Sequence, residues 1–193
     1  SETQKFGHVT FFWNGNRSGY IDEELETYIE IPSDNVEFNT APEMKAREIT
    51  EATIELLRSG EYAMGRINFA NGDMVGHTGD LKATIDAIHV LEKLVQVIDE
   101  IGGIMIVTAD HGNADIMYTE GTDGETTPKT SHTLSPVPFA IHDGSGTADY
   151  RLVDNLPDAG IANVAATTLN LMGLDVPADF EPSLVEPAKA PAT

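Results

Sequence analysis

With 193 residues, 40% of them apolar, the chain can bury one sizeable core, so one α/β-sized domain is expected. It has no cysteine, which excludes disulfides, thiolate metal sites and cysteine nucleophiles and leaves only nitrogen and oxygen to bind a metal. Its 32 acidic against 11 basic residues give a formal net charge of −21, which argues against nucleic acid and anionic membranes as partners.

No run approaches the roughly 18 apolar residues of a membrane span, and no basic-then-apolar leader opens the chain, so a soluble cytoplasmic protein is expected. In chain order, His8–Trp13 (HVTFFW) is aromatic and β-branched and stops at Asn14-Gly15, which predicts a strand and a turn. Glu43–Leu57 carries an apolar stripe at helical spacing and ends near Ser59-Gly60. Arg66–Ala70 (RINFA) reads as a second strand. Asp80–Ile101 reads as one long helix, with Leu81, Ile85, Ile88, Leu91, Leu94, Val95 and Ile98 on one side and Gly102-Gly103 closing it. Ile104–Val107 predicts a third strand, apolar enough to be buried on both faces. Val137–Ile141 predicts a fourth strand, and Ile161–Met172 a last helix ending at Gly173. The Pro- and Ala-rich tail, Glu186–Thr193, is expected to be disordered, leaving 1–185 as the folded segment.

Alternation of this kind predicts an α/β fold with a mainly parallel sheet flanked by helices, because parallel neighbours need crossover connections. Sites in such sheets gather beyond the carboxyl ends of the strands. Asp73 and His77 follow the second expected strand, Asp110 and His111 follow the third, and His132 precedes the fourth. Three loops thus deliver five metal-type side chains to one edge, where they are expected to converge. Singly, Asp73 or Asp110 also suits a helix cap, and His77 and His132 also suit loops. His8 and His89 read as structural, and His142 as a turn residue.

Asp and His ligands without thiolate suit Mn²⁺, Zn²⁺, Co²⁺ or Fe²⁺ better than Ca²⁺. Five ligands are many for one open catalytic ion and few for two. A two-metal site suits phosphoryl transfer, and its second ion would then need a further ligand.

In order, HVTFFWNGN, ANGDMVGHTGD, VTADHGNADIM, TSHTLSPVPF and GIANVAATTLNLMG resemble the carboxy-terminal part of the cofactor-independent (2,3-bisphosphoglycerate-independent) phosphoglycerate mutases, members of the alkaline phosphatase superfamily. The resemblance runs from about Lys5 to Leu184. It implies two divalent ions, Mn²⁺ first among Co²⁺, Mg²⁺ and Zn²⁺. Asp73, His77 and His132 would hold one ion. Asp110 and His111 would hold the other, with an Asp and a nucleophilic Ser from an early segment. Lys5 matches a family lysine that contacts the transferring phosphoryl group. The implied reaction is glycolytic: 3-phosphoglycerate gives its phosphoryl group to the serine, and the reoriented glycerate takes it back on its 2-hydroxyl. Family members are about 500 residues long, so the chain is expected to be a fragment of a parent enzyme, with an incomplete fold and no activity alone. The parent is expected to be monomeric and to have the small molecule phosphoglycerate as its partner.

Ser18 and Ser131 are the substitute nucleophiles on offer, and neither sits in a strand-to-helix turn that would present a hydroxyl at the sheet edge. Two other readings stand: a different metal-dependent phosphomutase or hydrolase of the same superfamily, and a non-enzymatic metal-binding domain.

Overall fold

The computed structural model describes residues 1–88, 92–121, 124–147 and 149–188. The helices are α1 (Phe6–Val9), α2 (Ala46–Ser59), α3 (Asn71–Gly76), α4 (Leu81–Ile88), α5 (Glu92–Ile101) and α6 (Val164–Leu171). The strands are β1 (Ile104–Thr108), β2 (Tyr118–Glu120), β3 (Thr126–Pro128), β4 (Phe139–Asp143), β5 (Tyr150–Leu152) and β6 (Val185–Pro187). The chain divides into two compact units. The first is Ser1–Val97 with His111–Pro138, and the second is Ile98–Asp110 with the chain from Phe139 onward. Among the described residues no helix is long and apolar enough to cross a membrane.

The class is α/β, but the mainly parallel sheet is not found. The three strand pairs among the described residues, β1 with β4, β2 with β3 and β5 with β6, are all antiparallel. A strand persists only where its N–H and C=O groups meet a neighbouring backbone, and two expected strands send theirs elsewhere. His8–Trp13 begins in α1 and continues as turns: Thr10 Oγ1 donates to the Phe6 carbonyl at 2.8 Å, and the Phe12 N–H to the Gly7 carbonyl at 2.9 Å. The rings of His8 and Phe12, four residues apart, meet edge to face at 5.3 Å, so local stacking replaces cross-strand pairing. Arg66–Ala70 forms no strand either. The Arg66 guanidinium lies 3.6 Å from the Trp13 ring centroid and donates to the His8 carbonyl at 3.4 Å, and the Asn68 carbonyl accepts the Ser1 hydroxyl at 3.0 Å. These two segments meet through side chains, not through a ladder.

In the first unit, α2 buries Ala46, Ile49 and Thr50. It starts three residues later than its apolar stripe suggests, because Met44 takes a positive φ of 44°. The Lys45 N–H at the helix entrance donates to the buried Glu2 carboxylate at 3.1 Å, and Ser33 Oγ donates to the same carboxylate at 2.8 Å. Glu2 is 1% exposed, so Glu2→Ala should leave both donors without their charged acceptor. It should cost about 1.5–3 kcal/mol in urea unfolding. Val75 of α3 and Ala83 of α4 are packed by Phe38 and Met44, which ties α3 to the core. The expected long helix Asp80–Ile101 is seen as α4 and α5, with His89 between them and outside the described residues.

In the second unit, β1 is only half-buried, with Ile104 exposed, and among the described residues it pairs with one strand, β4. His142, expected in a turn, lies within β4, and its Nε2 is 2.7 Å from Asp99 Oδ1. The last helix opens as a 3₁₀ turn, Ile161–Asn163, before α6. Asn163 holds the entrance: its Oδ1 accepts from the Gly160 N–H at 2.7 Å, and its Nδ2 donates to the Pro182 carbonyl at 2.7 Å. Glu186 and Pro187, expected in a disordered tail, complete β6 against β5, and residues 189–193 lie outside the described residues.

Candidate metal centre

All of the site geometry described here lies in the first unit. Although its glycines disfavour a regular helix, ANGDMVGHTGD makes the short helix α3, with the His77 N–H donating to the Asp73 carbonyl at 3.0 Å. That one turn puts Asp73 and His77 on the same face at i and i+4. Asp73 Oδ1 is 3.1 Å from His77 Nε2 and 3.2 Å from His132 Nε2, and the two Nε2 atoms are 3.2 Å apart. These three residues form a group whose ligand-type atoms all lie within 4.8 Å of one another.

The surrounding bonds decide which atoms are free to bind. His77 Nδ1 is 2.6 Å from the Thr130 carbonyl, which can only accept. Nδ1 therefore carries a proton, and Nε2, turned toward Asp73 and His132, is the nitrogen left to bind a metal. Lys5, on the 3₁₀ turn Thr3–Lys5, reaches Asp73 Oδ2 at 2.7 Å with both side chains largely buried. Burial alone would raise the Asp73 carboxyl. The hydrogen bonds from Lys5 and Asn113, with the Lys5 and His77 charges, outweigh it and hold Asp73 down at about 2. Asp73 is therefore an anion at any working pH.

The loop carrying His132 is stapled to the loop carrying His111. The Thr133 N–H donates to the Gly112 carbonyl at 2.8 Å, and Thr133 Oγ1 donates to both oxygens of Asp115 at 2.9 and 3.0 Å. Hydrogen bonds from Ser135 first, and then Thr133, hold the Asp115 carboxyl below its ordinary range despite the opposing effect of burial. Only glycine allows this approach, since a Cβ on residue 112 would lie 2.1 Å from Thr133 Oγ1. The result stacks the His111 and His132 rings at 3.6 Å and 17°. Lys129 Nζ donates to the carbonyls of Ser131 and His132 and to the Ser131 hydroxyl, so Ser131 is engaged in the loop itself.

Over residues 1–176 the sequence matches the metalloenzyme superfamily. The chain belongs to the metalloenzyme superfamily. This superfamily chain is 52% identical over 200 residues to the 2,3-bisphosphoglycerate-independent phosphoglycerate mutase of Trypanosoma brucei brucei (strain 927/4 GUTat10.1), covering 97% of this chain and 36% of that protein. It is 51% identical to the Nicotiana tabacum protein of the same name, covering 96% and 36%. A crystal structure of Leishmania mexicana phosphoglycerate mutase at low cobalt concentration matches it with a TM-score of 0.91 at 53% identity, covering 97% of this chain and 36% of that one. The metalloenzyme chain thus spans 36% of the length of these relatives.

Of the five expected ligands, Asp73, His77 and His132 come together and His111 stands against His132. Asp110 is not in that group; it is exposed and belongs to the second unit. Ser18 lies on an exposed loop just past Gly15 and Asn16, both at positive φ. Two participants went unread in the sequence: the Thr130 carbonyl, which no side-chain pattern reports, and Asn113. Asn113 stands two residues after His111 inside DHGNAD, and that position was the available signal.

Proposed function

We propose that this chain is the metal-binding, carboxy-terminal portion of a 2,3-bisphosphoglycerate-independent phosphoglycerate mutase, which interconverts 3-phosphoglycerate and 2-phosphoglycerate in glycolysis through a phosphoserine. The observation that carries this reading is the group Asp73, His77 and His132, within 4.8 Å of one another, in a chain about half identical to proteins of that name. One carboxylate and two imidazoles, with His77 fixed in the tautomer that exposes Nε2, are a donor set suited to Mn²⁺, Co²⁺ or Zn²⁺. His77 and His132 are 36% and 48% exposed, which favours a site open to substrate over a closed structural one.

In this reading Asp73, His77 and His132 hold one divalent ion, with Mn²⁺ the first candidate, and Asp110 and His111 contribute to a second. The ions supply Lewis acidity toward the phosphoryl oxygens and the serine hydroxyl. The chain's residues do the placing. Asp73 brings negative charge to the ligand group, Thr130 holds the His77 ring, and the Gly112–Thr133 staple holds His132. Lys5, paired with Asp73, is positioned to meet a phosphoryl oxygen. The nucleophilic serine, a second carboxylate and the glycerate-binding groups belong to the remaining length of the mutase. That remainder would also supply strand neighbours that complete a mainly parallel, alkaline phosphatase-like sheet. The parent is proposed to act as a cytoplasmic monomer.

Protons compete with the metal for imidazole nitrogen but, between pH 8 and 5.5, not for Asp73, which stays ionised down to about 2. The Asp73 carboxylate's contribution to folding is likewise complete above about pH 4 and is lost only as the pH falls toward 2. Calorimetric titration of Mn²⁺ should therefore show weaker binding at pH 5.5 than at pH 8 with an unchanged fold. Equal affinity at both would remove the histidines from the site.

A further inference from the structure

Asn113 is 5% exposed, and its placement serves the site more than the fold. Its Nδ2 donates to Asp73 Oδ1 at 2.8 Å and lies 3.3 Å from the Asp73 main-chain carbonyl, the same carbonyl that accepts the His77 N–H. A carboxylate can only accept, so the amide's orientation is fixed with NH₂ toward Asp73. Its other end is buried and makes no hydrogen bond among the described residues. Leaving a buried acceptor unsatisfied costs about 1–3 kcal/mol, so the fold alone gives little reason for an amide here.

We propose that Asn113 is a positioning residue for the metal-binding carboxylate, orienting Asp73 so that its Oδ1 faces His77 and His132. The proposal rests on the metal-site reading above and adds a residue to it. Lys5 grips Oδ2 as a point charge, which sets distance but leaves the carboxylate plane free to rotate. A second donor on Oδ1 removes that freedom and leaves one Oδ1 lone pair for the ring nitrogens 3.1 and 3.2 Å away. Gly76 completes the device. It ends α3, and a Cβ there would meet Asn113 Oδ1 at 2.8 Å and Cγ at 3.1 Å. Gly76 has no positive φ and sits in a helix, where alanine is ordinarily favoured by about 1 kcal/mol. Its lack of a side chain is therefore explained by the amide it lets in.

The test is a double-mutant cycle on the 193-residue chain. Mn²⁺ affinity is read by calorimetry, the Co²⁺ visible spectrum reports ligand geometry, and thermal unfolding without metal controls for the fold. Asn113→Ala should weaken Mn²⁺ binding by about 10–100-fold, the usual effect of losing an outer partner of a metal ligand, and alter the Co²⁺ spectrum. Gly76→Ala should weaken binding by displacing the same amide. The double variant should be no weaker than Asn113→Ala alone, because the added methyl then has no amide to displace. Affinity for Asn113→Ala within threefold of the parent chain, or losses that simply add in the double variant, would overturn the proposal. His77→Ala separates the two levels. If it too leaves affinity unchanged, the metal lies elsewhere and the site reading fails with the proposal. If His77→Ala abolishes binding and Asn113→Ala does not, only the role of Asn113 fails.

Discussion

Asp73→Ala is expected to abolish Mn²⁺ binding by this chain at any accessible concentration. Loss of an outer partner costs about 10–100-fold, and Asp73 is the one carboxylate in the three-residue group, so its removal should exceed that range. The substitution also strips Lys5, largely buried, of its partner at 2.7 Å. A charge left unpaired in this way destabilises by up to about 3 kcal/mol, so Asp73→Ala should also lower the melting temperature. A position in a ligand loop would not by itself suggest that cost. His77→Ala is the control that keeps the Lys5–Asp73 pair. It should lose binding with little change in melting temperature, since the His77 side chain is 36% exposed. Binding retained by both variants would place the metal elsewhere.

The second large effect concerns turnover. Given 3-phosphoglycerate and Mn²⁺, the isolated chain should form 2-phosphoglycerate at a rate several orders of magnitude below that of the full-length mutase, because groups acting as a unit fail as a unit. The Ser131 hydroxyl is bound to Lys129 within its own loop, and Ser18 lies on an exposed loop. A net charge of −21 adds a field that repels a triply charged substrate. Phosphoglycerate interconversion followed by coupled assay decides the point. Turnover that survives purification and disappears in Ser18→Ala would show that the chain carries its own nucleophile.

The convergence of Asp73, His77 and His132 was more legible than the sheet that was to present them. Asp73 and His77 are four residues apart, and that spacing meets on one face whether the intervening turn is tight or helical. That the segment forms the short helix α3 therefore does not alter which side chains meet. His132 was reachable from its motif, and its geometry is set by the Gly112–Thr133 bridge, a long-range pairing that only coordinates reveal. The strands failed for a physical reason. HVTFFW and RINFA have the composition of strands, but β-propensity expresses packing against neighbours, and among the described residues these segments have none in a ladder. Their aromatic and cationic side chains instead meet one another, as Arg66 does over Trp13. Asn113 stayed hidden because an amide inside a motif rich in better ligands carries no chemistry until its partner, forty residues away, is placed beside it.

The most direct measurement is an anomalous difference map from crystals of this chain grown with Mn²⁺, with data collected near the manganese edge. A single strong peak is predicted about 2.0–2.3 Å from Asp73 Oδ1, His77 Nε2 and His132 Nε2, the range for such ligands. His77 Nδ1 should remain on the Thr130 carbonyl and Asn113 Nδ2 on Asp73. A map with its peak on surface carboxylates alone, and none within bonding distance of these three atoms, would contradict the assignment of this group as the metal site.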